Sequence, residues 1–321
     1  MAKRTPRQSV NALVDRMDKI EQKLLKISKL ISITDETSNV FWNNVSSEVR
    51  KAYNEARVVF AEWNKSEIPY FYNENIRKQM KKIRHLSVKN IADKNSKELE
   101  NANYAKQSQG SIVKSSVSDF TTGSLMGEKK YSRLIGMTQK KNVQENRLNK
   151  IVAEGEFLGE STFSVQKQIQ NELLNDALDG KYILVIDKNG KEINYKLTSY
   201  SEMVARTKLT EAQTESTIQV AVNYGTDLVQ VSSHNTKTAY DAQFEGKIYS
   251  LTGNDPDFPP ATDLPPFHPY CIHTISVTFK EGMEANGSLD GLSQFSKGEI
   301  DSPPRKKSFV PLKDRELVGS K

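Results

Sequence analysis

Tyr182-Ile183-Leu184-Val185-Ile186-Asp187, then Lys188-Asn189-Gly190-Lys191, then Glu192-Ile193-Asn194-Tyr195 is the stretch that decides how the second half of the chain folds. Two runs rich in β-branched and aromatic residues flank an Asn-Gly pair, and favoured hairpin turns need positive φ where Asn and Gly tolerate it. The stretch therefore predicts a β-hairpin. Downstream, Ser199 and Glu202 have capping-box spacing ahead of a helix that runs to about Tyr224 and stops at Gly225. Leu228–Val231, Lys247–Leu251 and Ile272–Phe279 read as strands. Between the last two lies a loop holding six of the eleven prolines, expected to be stiff and extended. The order predicts a small α+β domain over residues 160–282, with a β-hairpin, one main helix and a short mixed sheet.

The N-terminal half is read as extended and helical. Val10, Leu13, Met17, Ile20, Leu24, Ile27 and Ile31 alternate steps of three and four, which is a coiled-coil seam. Such a stripe needs a partner helix, either from this chain, from a second copy or from another protein; the last makes Leu13, Met17, Ile20, Leu24, Ile27 and Ile31 partner-binding candidates. Thr34, Asp35, Thr37 and Ser38 supply turn and cap chemistry, and a second stripe, Phe41, Val45, Val49, Tyr53, Ala56 and Phe60, completes a helical hairpin over residues 1–85. Pro69 is expected to break that second helix. Residues 86–128, rich in Ser, Asn, Lys and Gln and interrupted by Gly110, Gly123 and Gly127, read as a largely irregular connector. Residues 129–159 regain helical composition, and residues 283–321 read as a disordered basic tail.

The net charge of +6 hides an asymmetry: residues 1–150 carry an excess of 13 positive charges and residues 151–300 an excess of 10 negative ones. A basic half favours phosphate or an acidic protein surface, unless the charges are simply a solvated helix face. Its densest stretch, Arg77, Lys78, Lys81, Lys82 and Arg84, follows the aromatic cluster Tyr70, Phe71 and Tyr72, a combination that suits a DNA backbone. No signal peptide and no long apolar run is present, so a soluble protein without a membrane partner is expected. One cysteine excludes an internal disulfide framework and fits assembly in a reducing cytoplasm.

His234, His268, Cys271 and His273 fall within forty residues of one another. Alternation along a strand puts residues 271 and 273 on one side, and His234 arrives at the end of another strand, with Asp241 as an alternative ligand. These residue types suit zinc; equally, they pack and hydrogen-bond at the base of the proline loop. An enzyme would need His234, Arg206 and Glu245 arranged as acid–base machinery, but no spacing identifies one, and Walker, nucleophile-elbow and dinucleotide signatures are all missing.

Several spaced segments are similar, in the right order, to the phage minor capsid protein 2 and Mu F-like head morphogenesis families. They are Asp187-Lys188-Asn189-Gly190; Tyr200 through Arg206 and Thr207; Gly225 through Ser233 and His234; Gly246 through Ser250; and Pro265-Pro266-Phe267-His268-Pro269-Tyr270-Cys271-Ile272-His273. On that resemblance Arg206, Thr207, Gly225, Ser233, Gly246 and Pro266 are structural positions. Members of the family are internal head proteins of few copies, associated with the portal protein and involved in assembly, packaging or DNA delivery. The resemblance implies a non-enzymatic structural protein inside the capsid, made in the host cytoplasm, with portal protein, other head proteins and double-stranded DNA as partners. One departure is that Tyr240-Asp241 and His273 stand where the family often has cysteines.

Overall fold

A computed structural model describes residues 4–85, 96–154, 161–187, 189–237 and 239–280. In chain order the elements are α1 (Pro6–Ile33), α2 (Asn39–His85), α3 (Ser96–Asn101), α4 (Asn103–Glu154), α5 (Ser161–Leu178), β1 (Ile183–Ile186), β2 (Glu192–Tyr195), α6 (Leu197–Asn223), β3 (Leu228–Val231), α7 (Ala239–Ala242), β4 (Ile248–Ser250) and β5 (Ile275–Val277). They form two compact units, each assembled from separated stretches: the chain through Asn64 with Ser116–Val204, and Lys65–Ser115 with the chain from Ala205 onward. No described helix is long and apolar enough to cross a membrane.

The first unit is built on the two N-terminal stripes. Helix α1 opens with Thr5 as N-cap in a capping box with Gln8, and Pro6 sits where its missing N–H costs nothing. Leu13, Met17, Ile20, Leu24 and Ile31 of α1 are buried, as are Val45, Val49, Tyr53, Ala56 and Phe60 of α2. The seam is therefore closed within the chain. This corrects the partner-binding expectation: Leu13, Met17, Ile20, Leu24 and Ile31 are consumed by the unit's own core and only Ile27 is half-exposed. On α4, Phe120 stacks on Phe60 with ring centroids 4.1 Å apart. At Gly127 a Cβ would lie 1.8 Å from the Tyr182 carbonyl oxygen, and at Gly123 one would lie 3.0 Å from Ile183 Cγ2. The two glycines let the Tyr182 backbone leading into β1, and the Ile183 side chain, lie directly on α4. Tyr53 Oη donates to the same Tyr182 oxygen at 2.7 Å. Glu21 of α1 serves the start of α6, accepting from the Thr198 N–H and hydroxyl at 3.0 Å each, where a carboxylate also complements the helix dipole.

The hairpin forms as expected, with Ile183 paired to Tyr195 and Ile186 to Glu192. Its turn is longer than a two-residue loop: Gly190 N–H donates to Asp187 O, Asp187 N–H to Lys191 O, and Gly190 carries the positive φ of 80°. The Asp187 carboxylate accepts from the Asn189 and Lys191 N–H groups and takes the place of the tighter turn.

In the second unit, β3 is the central strand of a sheet ordered β4-β3-β5. Both pairings are antiparallel, so the expected mixed sheet is an antiparallel one, supplemented by a single parallel bridge between Ser250 and Pro260. Helix α6 ends at Gly225 with φ 69°, the Thr226 N–H reaching Ala221 O and the Gly225 N–H reaching Val222 O, which is a Schellman stop. Asn75 of α2 donates to Gln213 O, Ser216 Oγ and Thr217 Oγ1 of α6 at 2.8–2.9 Å. Gln79 bridges to β5: its amide nitrogen donates to Ile275 O and its amide oxygen accepts from Val277 N–H, both at 3.4 Å.

Three local expectations are overturned. Helix α2 runs through Pro69 without a break; Ile68, Phe71 and Tyr72 around it are all buried, and that burial offsets the roughly 3 kcal/mol an interior proline costs. Residues 103–128 are helix rather than connector, because a seam of Ser116, Phe120, Gly123, Ser124, Gly127 and Tyr131 faces inward at helical spacing. Helix α6 begins at Leu197, so Ser199 and Glu202 are inside it and are not its capping box. Residues 86–95 of the connector and the whole 283–321 tail lie outside the described residues.

Candidate functional site

The four metal-capable side chains do come together, at one end of the three-stranded sheet, in the second unit. Strand β3 leads through Ser232 and Ser233 to His234, whose Nε2 is 2.8 Å from Ser232 Oγ and whose ring meets the His273 ring edge-on at 5.2 Å. The segment entering β5 supplies Cys271 and His273 on one side, with Cys271 Sγ 3.5 Å from His273 Nδ1. Helix α7 contributes Asp241, whose Oδ2 lies 2.6 Å from His268 Nε2 and 4.0 Å from His273 Nδ1. Glu245 completes the group at 2.8 Å from His273 Nε2.

The hydrogen bonds are shared out within the cluster. Glu245 also accepts from the N–H groups of Asn235 and Thr236. Burial works to raise its pKa, but the bonds from His273 and from backbone N–H groups outweigh burial and hold the carboxyl below its ordinary value. Burial, aided by Asp241, pushes the Cys271 thiol up. The two ring nitrogens of His268 lie 2.6 Å from Asp241 Oδ2 and 2.6 Å from Pro269 O. Asp241 is 1% exposed, and its Oδ1 has no partner among the described residues.

As placed, these side chains hydrogen-bond to one another. The His234 and His273 rings meet T-shaped, and His234 Nε2 is engaged by Ser232 Oγ. Among the described residues no group of three or more His, Cys, Asp or Glu side chains stands ready to hold a metal. Glu245 pairs with His273 and with backbone N–H groups.

The proline loop braces this end of the sheet. It is not extended: Ser250 N–H donates to Pro259 O and Ala261 N–H to Ser250 O, doubling the loop back on β4. Phe267 stacks on Phe244 with centroids 4.5 Å apart, and Pro265 O accepts from the Thr214 hydroxyl of α6 at 2.7 Å. The peptide bond between Pro265 and Pro266 is cis. Gly246, at φ 72°, brings its N–H to Val231 O, and a Cβ there would lie 2.9 Å from Ser233 Oγ, so these two positions support each other. Arg206 and Thr207 sit half-exposed on α6, with Arg206 O accepting from the Thr210 hydroxyl.

The basic run of α2 divides in two. Arg77 is already paired, with two bonds to Glu100 at 2.6 and 2.8 Å and one to Glu74 at 3.0 Å. Lys78, Lys81 and Lys82 are exposed and line an open groove opposite Gln230–Ser233 and Thr274–Ser276. Arg84 is exposed one turn beyond Lys81 but does not line it. Sequence reasoning found the lysines but missed the strands opposite them, which no local pattern announces.

The histidine cluster sits where β3, α7 and the doubled-back proline loop meet. Residues 158–290 match the phage minor capsid protein 2 family, the family that the spaced segments resemble. The match covers less than half of the chain. Among curated proteins and among solved structures there is no match.

Proposed function

We propose that this chain is a minor head protein inside the capsid at the portal vertex, where it binds the portal protein and double-stranded DNA during head assembly, genome packaging or ejection. The family match over residues 158–290 carries the reading. The charge excess of residues 1–150, with Lys78, Lys81 and Lys82 exposed on one helix, supports the DNA contact, which would be independent of sequence and weaken steeply with salt. With the α1 seam closed inside its unit, a protein partner must use other apolar side chains. Leu30, Ile33 and Val40, flanking the α1–α2 turn, are 42%, 82% and 70% exposed.

Co-purification of tagged full-length chain with the portal protein tests the reading. Retention of the portal, reduced by Ile33→Asp with Val40→Asp, is the expected outcome; a chain that never retains portal, under salt conditions that keep heads intact, contradicts the portal assignment.

A further inference from the structure

Lys78, Lys81 and Lys82 occupy positions i, i+3 and i+4 of α2, so they emerge from one side of the helix. They form one wall of a groove of about 580 Å³. The other wall is Gln230, Val231, Ser232 and Ser233 along and just beyond β3, with Thr274, Ile275 and Ser276 entering β5. The lining contains three cations and several hydroxyls but no acidic residue. Like charges one turn apart repel, and Lys82 is held below the ordinary lysine value by burial first and by Lys78 second. An anion in the groove offsets the repulsion between the lysines.

The shape of the groove discriminates between anions. A peptide bound by strand addition would need the backbone groups of β5, but Gln79 already occupies the Ile275 carbonyl and the Val277 N–H. What remains available is a row of ammonium groups facing Ser233, Thr274 and Ser276, suited to tetrahedral phosphate oxygens and indifferent to base identity. The geometry points to this groove as the seat for backbone phosphates of double-stranded DNA, shared between a basic helix and the sheet of the domain that carries the family match. The inference rests on the DNA-binding reading above and narrows it from a basic half to one groove.

The test uses the full chain and a duplex of arbitrary sequence, with binding followed across a salt series. Two variants carry the same loss of charge: Lys78→Gln/Lys81→Gln/Lys82→Gln in the groove, and Lys19→Gln/Lys26→Gln/Lys29→Gln on the exposed face of α1. Circular dichroism and melting confirm that both fold. The groove variant is expected to lose about 2.7 from the slope of log affinity against log salt, roughly 0.9 for each phosphate contact, while the α1 variant keeps the parent slope. Equal losses in both variants overturn the groove while leaving DNA binding intact. A parent chain that binds no duplex even at low salt removes the DNA reading itself. Stronger competition by polyglutamate than by duplex at equal charge assigns the groove to an acidic protein and overturns the proposal.

Discussion

Two rows at helical spacing have opposite fates. Leu13, Met17, Ile20 and Leu24 on α1 are buried within their own unit, whereas Lys78, Lys81 and Lys82 on α2 stand exposed along a groove. The apolar row is satisfied by any apolar surface of matching shape, and a second stripe follows it in the same chain, so it closes on itself. The lysine row meets no such partner, because the groove lining supplies hydroxyls and amides but no carboxylate. Periodicity identifies a row that needs something; the chemistry of the row decides whether the chain itself can supply it.

The inward-turned side of this contrast breaks most severely at Gly127. A side chain there collides with the Tyr182 carbonyl, which is backbone and cannot swing away. Gly127→Val is expected to cost about 3 kcal/mol or more, read as a collapse of the thermal transition. A Gly127→Val protein that melts like the parent would mean that β1 does not lie on α4. Next in size is Met17→Ala on the seam, fully buried in α1, with an expected loss of about 2–5 kcal/mol in denaturant unfolding. Loss of portal co-purification at unchanged stability would instead return the seam to an external partner.

The histidine cluster gives a smaller, pH-dependent effect. Glu245 is depressed in the folded chain, so its contribution is fully present above the ordinary glutamate value and disappears as pH falls through the lower folded value. Glu245→Gln should therefore lower the melting temperature near neutrality, with the gap to the parent closing towards acid. A gap that widens on acidification would reverse the sign of the argument. Smallest of all is Arg77→Gln, which removes an ion pair whose arginine is half exposed; about 0–1 kcal/mol is expected, with DNA affinity changed far less than by a groove lysine. A chelator should leave the melting curve unmoved, since the cluster's donors already bond one another; a drop in melting temperature would show a bound metal.

The hairpin around Asn189-Gly190, the Gly225 stop and the two apolar stripes were legible because each is a local pattern with a local cause. The part of α4 over residues 103–128 was not, because much of its inward face is Ser116, Gly123, Ser124 and Gly127, which hydropathy counts as loop. Those small residues face inward because close approach requires them. The proline in α2 misled for the complementary reason, as burial on both sides of Pro69 outweighs the local rule. At the site, the convergence of His268, Cys271 and His273 was visible in their spacing, but the distribution of their hydrogen bonds depended on Glu245 and Asp241 arriving from another loop. The groove depended on residues 78, 230 and 275 meeting, which only the folded chain reveals.

A density map of the portal vertex in the assembled particle tests the central claim most directly. The account predicts helical density for this chain inside the capsid, against the portal, with the lysine groove of α2 directed at packaged DNA. Density for the chain on the outer surface, or a lysine groove buried against protein and away from DNA, would contradict it.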